Sequence, residues 1–341
     1  MIQFLLSQSF YFIVPLLIVA LAGMFSEKSG TVNIALEGIM VIGAFAGIYF
    51  ISIMQEHGYL ANVPLLLLSI AMVISIVAGM LFASLLGFLA INMKANQTIG
   101  GVALNILAAA LAIFLARTLT KEGVSHIKFN NSPFKLRVNY LKDLFPNLAP
   151  GSIEYKIVNG LNNVFLRDGY IFIYLAVIIF IVSSFIINRT RFGLRLSACG
   201  EHPHAAQSVG VNVYRYRWAG VLISGALAGL GGLIYIIPTS VSFHGTVTGY
   251  GFLALAVLIF GQWKPFKILL AAIFFGIFKT LSVTYFGIPF ISNLMENYKN
   301  IPFGMLFNLM PYIITLIALS ISSKSSRAPK ASGIPFDAKG M

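Results

Sequence analysis

The chain has 341 residues, of which 58% are hydrophobic and only 10% charged, far below the roughly 25% charged fraction of soluble domains. Twenty-three basic side chains against ten acidic ones leave a formal charge of +13. In so apolar a chain that excess reflects the positive-inside bias of multi-span membrane proteins and argues against nucleic-acid binding. The lone cysteine, Cys199, excludes an intramolecular disulfide and a cysteine-rich metal site.

The first residues carry no basic stretch, and no small-residue cleavage pattern follows the first apolar run, so that run is expected to be retained as a span. A hydrocarbon core needs about 20 residues of apolar helix. By that measure residues 10–25, 31–54, 63–91 and 99–115 are expected spans, followed after a long polar segment by 170–187, 218–237, a shorter run 250–262, 266–286 and 303–321. The expected fold is all-α, a polytopic membrane bundle of about 8–10 helices, with a membrane domain over 1–321 and a tail over 322–341. Run 63–91 is too long for one upright helix, and 238–249 reads as a re-entrant break that needs protein or water around it. Gly43 with Gly47, and Gly225 with Gly229, are small-residue pairs that let helix backbones approach.

Arg189, Arg191, Arg195, Arg215 and Arg217, then Lys264 and Lys267, then Lys324, Arg327, Lys330 and Lys339 fall on one side of these runs. That side is expected to be cytoplasmic, with Lys28 and Lys94 also inside, segment 117–168 outside and the N-terminus outside. Long segments translocate whatever their charge, and a loop of that length is either a solvated cap or a docking surface.

Within the runs, Asn33 and Glu37 stand four apart, which on a continuous helix places both on one face. Glu37 is the only acid inside an expected span, and a carboxylate there faces the bundle interior, a polar path or a partner. Three roles stay open for it: bonding a polar substrate, taking up a proton, or bonding a neighbouring helix. Asn105 and Thr98, seven apart, share a face of the fourth run, and Lys279 is expected to snorkel. Segment 240–252 mixes hydroxyls, glycines and aromatic rings, and its His244, Tyr250 and Phe252 are the candidate ligand contacts beside Asn33, Glu37 and Asn105. The alternative for that segment is a plain turn.

The cytoplasmic loop 188–217 contains the run Gly200-Glu201-His202-Pro203-His204-Ala205-Ala206-Gln207-Ser208-Val209-Gly210. A hairpin between spans needs only a few residues, so a structured basic insert marks a docking point for another protein. His202 and His204 lack the further ligands a metal would need. No phosphate loop of the form G-x-x-x-x-G-K-[ST] occurs, nor a serine or cysteine nucleophile with an evident base, so catalysis is not expected.

The stretch Phe25-Ser26-Glu27-Lys28-Ser29-Gly30-Thr31-Val32-Asn33-Ile34-Ala35-Leu36-Glu37-Gly38-Ile39-Met40 resembles the N-terminal signature of ABC importer permeases in the simple-sugar and nucleoside branch. Gly100-Gly101-Val102-Ala103-Leu104-Asn105, the basic segment 191–213, and Gly249-Tyr250-Gly251-Phe252 with 254–261 follow in the order of that branch. The resemblance implies a permease in the bacterial cytoplasmic (inner) membrane, paired with a second, homologous permease subunit. It implies ABC ATP-binding subunits, which would use the ATP and magnesium, so this chain would bind no cofactor. An extracytoplasmic substrate-binding lipoprotein of the basic-membrane-protein type would deliver the cargo.

In such importers a short coupling helix carries E-A-A-x-x-x-G; here Ala205, Ala206 and Gly210 keep the spacing, with His204 in place of the glutamate and Glu201 close by. Pro203 suits the first turn of that helix. The implied function is passage of a nucleoside by alternating access. A simple-sugar cargo, and a proton-coupled transporter working through Glu37 alone, are the other readings.

Overall fold

The computed structural model describes residues 2–120, 123–136, 169–285 and 328–337, with scattered single positions at 152–162 and 306–320. Most of the expected span 303–321 and most of segment 117–168 lie outside the described residues. The described helices are α1 (Ile2–Lys28), α2 (Leu36–Glu56), α3 (Pro64–Gly87), α4 (Gln97–Leu119), α5 (Phe172–Arg189), α6 (Arg191–Glu201), α7 (Pro203–Ser208), α8 (Val213–Thr239), α9 (Tyr250–Phe260) and α10 (Pro265–Thr284). Seven of them are long and apolar enough to cross a membrane, and α9 is a shorter apolar helix.

The helix starts follow local chemistry. Pro64, Pro203 and Pro265 open α3, α7 and α10, where the missing N–H costs nothing. Asn96, Thr190 and Asn212 cap α4, α6 and α8 by accepting first-turn N–H groups. The over-long run 63–91 resolves into α3 followed by a π-helical turn, Phe88–Asn92.

Helix α8 is the centre, packed against α1, α2 and α3. The small-residue pairs explain how close it comes. A Cβ at Gly43 of α2 would overlap the backbone of Gly229, and one at Gly79 of α3 would lie on Gly225 and Gly229. Backbones at this distance gain van der Waals contact that replaces the missing hydrophobic drive between helices in lipid. Helices α3, α4, α5 and α10 carry exposed Leu, Ile, Val and Phe on their outer faces, as surfaces meeting acyl chains or another membrane subunit require.

The two ends of the bundle differ in chemistry. One end gathers the turn after α1, Lys94, α6, α7 and segment 328–337, with Lys94 Nζ 3.0 Å from Asp337 Oδ2 and Gly200 against Lys28 and Gly30. The other end holds a two-stranded antiparallel ladder, β1 (Ile127–Lys128) on β2 (Ser242–Phe243), in the register Ile127↔Phe243. There the Gln55 amide closes a two-bond clamp on Asn130, each bond 2.8 Å, and Asn131 Nδ2 donates to Ile237 O at 3.1 Å. Tyr11 of α1 packs on Tyr170 at this same end, so α1 runs toward the basic end. Within the expected break at 238–249, Pro238 and Thr239 are still helical and end α8, and Ser242–Phe243 form β2, whose edge is paired by β1.

Candidate translocation seam and coupling surface

Helix α2 begins at Leu36, not at Thr31, so Asn33 and Glu37 do not share a helical face. Residues 29–35 form an irregular turn, and the reason it survives in an apolar bundle is that polar side chains satisfy its backbone. Ser26 Oγ donates to Thr31 O at 2.7 Å, Val32 N donates to Gln97 Oε1 at 2.7 Å, and Asn33 Nδ2 donates to Ser224 Oγ at 2.8 Å. Asn105 enters the helical ladder itself: its Nδ2 donates to Ile34 O at 2.9 Å, and its Oδ1 accepts from Gly38 N at 2.7 Å. Those two backbone groups would bond each other in an unbroken helix. Asn105 lies eight residues into α4, about 12 Å along it, so α2 starts within the bundle.

Helix α9 starts within the bundle too, and Glu37 joins the two starts. Gly249 N donates to Glu37 Oε1 at 2.8 Å and Gly251 N to Oε2 at 2.6 Å. These are N-terminal amides of α9, whose dipole favours a negative charge. Two glycines make the approach possible: Gly249 holds a left-handed φ of 78°, and a Cβ at Gly251 would collide with the Glu37 backbone. The arrangement makes Glu37 a cap that fixes a half-helix.

The other candidates separate by position. Asn33 is fully buried, and Tyr250 is buried with its hydroxyl on Phe12 O and its ring stacked 4.1 Å from Tyr235, so neither faces open space. Glu37 and Asn105 are half-buried, whereas Thr246, Thr248, His244 and Phe252 are exposed. His244 belongs to the β1–β2 end, its ring 5.3 Å from His126 and its Nε2 2.9 Å from Ser242 Oγ. Thr98 is exposed, whereas Asn105 is half-buried on the start of α2. Near the β1–β2 end a cavity of about 410 Å³ is lined by Tyr49, Ser52, Glu56, His57, His126 and Lys128. Among the described residues no group of three or more His, Cys, Asp or Glu could hold a metal ion.

At the basic end the loop folds as two short helices. Pro203 is the first residue of α7. Gly210, at φ 82°, ends it: Gly210 N donates to Gln207 O at 2.9 Å and Val211 N to Ala206 O at 3.0 Å. This pair of bonds is a Schellman cap, which needs a left-handed residue where Gly210 stands. Glu201, His204 and Ala205 are exposed, while Ala206 turns inward against Cys199, Val213 and Phe336. The two neighbouring alanines thus have opposite roles, one facing outward and one holding the helix to the bundle.

Residues 5–319 match the family model described as branched-chain amino acid transport system / permease component. The chain belongs to that permease family. The permease is 39% identical to the guanosine ABC transporter permease protein NupQ of Bacillus subtilis, over 94% of this chain and 92% of that one. It is 34% identical to the nucleoside ABC transporter permease protein NupC of Lactococcus lactis, over 98% and 97%. A putative glucose ABC transporter permease protein of Haloferax volcanii, TsgC13, is 28% identical over 79% and 73%. No solved structure matches the permease.

Three features of the permease were not read from its sequence. Glu27, two residues past the first expected run, is buried and accepts a 2.6 Å bond from Trp263 Nε1. Arg217, read only as a loop charge, is the largest fully buried side chain among the described residues. Segment 328–337, read as tail, is packed on the loop. Arg217 sits early in α8 between Tyr216 and Trp218, where an arginine gives no periodic signal of burial, and the tail has no periodicity at all.

Proposed function

We propose that this permease forms the membrane path of an ATP-driven nucleoside importer, working with a second permease, separate ATP-binding subunits and an extracytoplasmic binding lipoprotein. The observation that carries the cargo is the 39% and 34% identity, over nearly the whole chain, to permeases named for guanosine and nucleoside transport. The sugar alternative rests on a weaker likeness, 28% over 79% of the chain. ATP and magnesium belong to the partner subunits in this reading, and α7 receives their movement through its exposed face. The exposed hydroxyls of Thr246 and Thr248 and the Phe252 ring offer a passing nucleoside weak hydrogen bonds and a stacking surface, which suits release as well as entry.

The test is uptake by the assembled importer in liposomes, with labelled guanosine and labelled glucose supplied in turn to the binding protein. Guanosine uptake that needs ATP supports the reading, and glucose uptake in its place overturns the cargo. Uptake by the chain alone under a pH gradient would establish the proton-coupled reading. Ala205→Arg places a bulky charge on the exposed face of α7 without entering the core. ATP-driven uptake by that variant at the wild-type rate overturns the coupling role of α7.

A further inference from the structure

Segment 328–337 is tied to every element around the proposed coupling helix. Ala331 N donates to Gly200 O at 2.8 Å, at the end of α6, and Gly333 N donates to Gly30 O at 3.2 Å, in the turn after α1. Arg217 Nη1, near the start of α8, donates to Ile334 O at 2.9 Å, and Tyr214 OH to Phe336 O at 3.4 Å. Asp337 pairs with Lys94 just ahead of α4. Phe336 is the plug at the centre. It is 4% exposed and shares a small buried cluster with Cys199, Ala206 and Val213. Its ring lies 5.2 Å from that of His204 and 5.3 Å from that of Tyr214, and the Arg217 guanidinium sits 5.8 Å above it.

Helix α7 has six residues, too few to hold its shape alone. Its buried partners within the loop are Cys199 and Val213, with Val211, Tyr214 and Tyr216 packed at the edge, and Phe336 completes the cluster from outside the loop. On and beside the segment several buried polar atoms have no partner among the described residues: Arg217 Nε and Nη2, Thr31 Oγ1 and Ser332 Oγ. An interface with such atoms is held less tightly than a fully paired core.

From this geometry we infer that segment 328–337 is a strap, with Phe336 as its positioning residue, that makes α7 move as one body with α1 and α8 so that a push on α7 reaches the bundle. The inference rests on the coupling role proposed for α7. Without the strap the ATPase still meets α7, but the helix yields instead of transmitting the movement.

Cys199 is a built-in reporter, because it is the only cysteine in the chain and lies fully buried beneath the plug. In the assembled importer, Phe336→Ala is expected to speed maleimide labelling of Cys199 at least 10-fold. It is also expected to cut ATP-driven uptake at least 10-fold, while the ATP-binding subunit still co-purifies and still hydrolyses ATP. Phe336→Tyr, which keeps the ring, restores both. Deletion of 328–341 gives the same pair of changes and decides the matter if Phe336→Ala lowers the melting midpoint of the bundle.

Unchanged Cys199 protection, or unchanged uptake, in the deletion variant overturns the strap. The parent reading fails separately. Ala205→Arg leaves Cys199 protected, so a normal uptake rate in that variant rejects coupling through α7 and with it this inference. A blocked Ala205→Arg beside a normal Phe336→Ala and a normal deletion variant rejects the strap alone.

Discussion

Gly251 donates its backbone N–H to Glu37 Oε2 at 2.6 Å, across 214 positions of sequence. With the matching bond from Gly249, the carboxylate closes the start of a half-helix that has no other side-chain cap. Hydrogen bonds to a charged group are worth about 1.5–3 kcal/mol each. Glu37→Ala is therefore expected to destabilise the bundle by about 2–4 kcal/mol, allowing for partial rescue by water at this half-buried site. Glu37→Gln keeps one acceptor oxygen and is expected to lose about half as much. Thermal melting in detergent measures both. If Glu37 instead carried a transported proton, Glu37→Gln would melt normally and lose all transport.

The contact between α2 and α8 makes a sharper contrast. At Gly43 a Cβ has no room against Gly229, whereas at Gly100 the nearest atom is a Leu89 side-chain carbon at 3.4 Å. Gly43→Ala forces the helices apart and is expected to cost about 2–3 kcal/mol, in the range of overpacked cores. Gly100→Ala gains helix propensity, about 1 kcal/mol, and is expected to be neutral or stabilising. Expression yield and melting midpoint of the two variants check this, and a Gly43→Ala protein as stable as wild type would remove the close crossing.

Apolar run length made the seven membrane-length helices and the shorter α9 legible, because membrane helices satisfy their own backbone and leave composition as the signal. What it left out are the places where helices begin inside the bundle. Asn33 and Glu37 obey a four-residue spacing, yet the helix opens between them, since Asn105 takes over the bond that would have carried α2 one turn further. No local pattern encodes a bond between residues 38 and 105. The same is true of Glu27 and Trp263, and of Phe336 in the loop cluster. Gly210 was legible through its spacing to the two alanines, and the structure adds the physical reason, a left-handed cap. His204 and Ala205 are exposed and Ala206 is buried, a division that depends on which way a six-residue helix is rolled and that the sequence pattern does not carry.

Cys199 sets a pH signature for the loop at the basic end. Burial pushes its thiol up from 9.0 to about 11, and the nearby Arg217 guanidinium offsets only part of that. The folded state therefore prefers the protonated thiol. Its contribution to loop stability is complete below pH 9 and is lost as pH rises toward 11. At pH 8 the thiolate fraction falls about 100-fold relative to a thiol at 9.0, so iodoacetamide is expected to react at least that much more slowly than with the unfolded chain. A rate at pH 8 equal to that of the unfolded chain would show that the cluster around Phe336 is open in solution.

Trp263 offers the test of the buried acid. Its indole N–H reaches Glu27 Oε2 at 2.6 Å, and both residues are buried, at 6% and 7% exposure. The bond ties the end of α1 to the turn between α9 and α10, a turn strained by positive φ values of 51° at Gln262 and 53° at Trp263. Trp263→Phe keeps most of the ring and removes the donor, leaving a buried carboxylate oxygen without its partner. The expected cost is about 2–3 kcal/mol. Glu27→Gln retains an oxygen that can accept from the indole and is expected to cost less. Because the two residues share one interaction, the double variant Glu27→Leu with Trp263→Phe should cost less than its single variants summed. Melting midpoints of the four proteins give the coupling directly, and strict additivity would mean that the turn is held by ring packing and not by this bond.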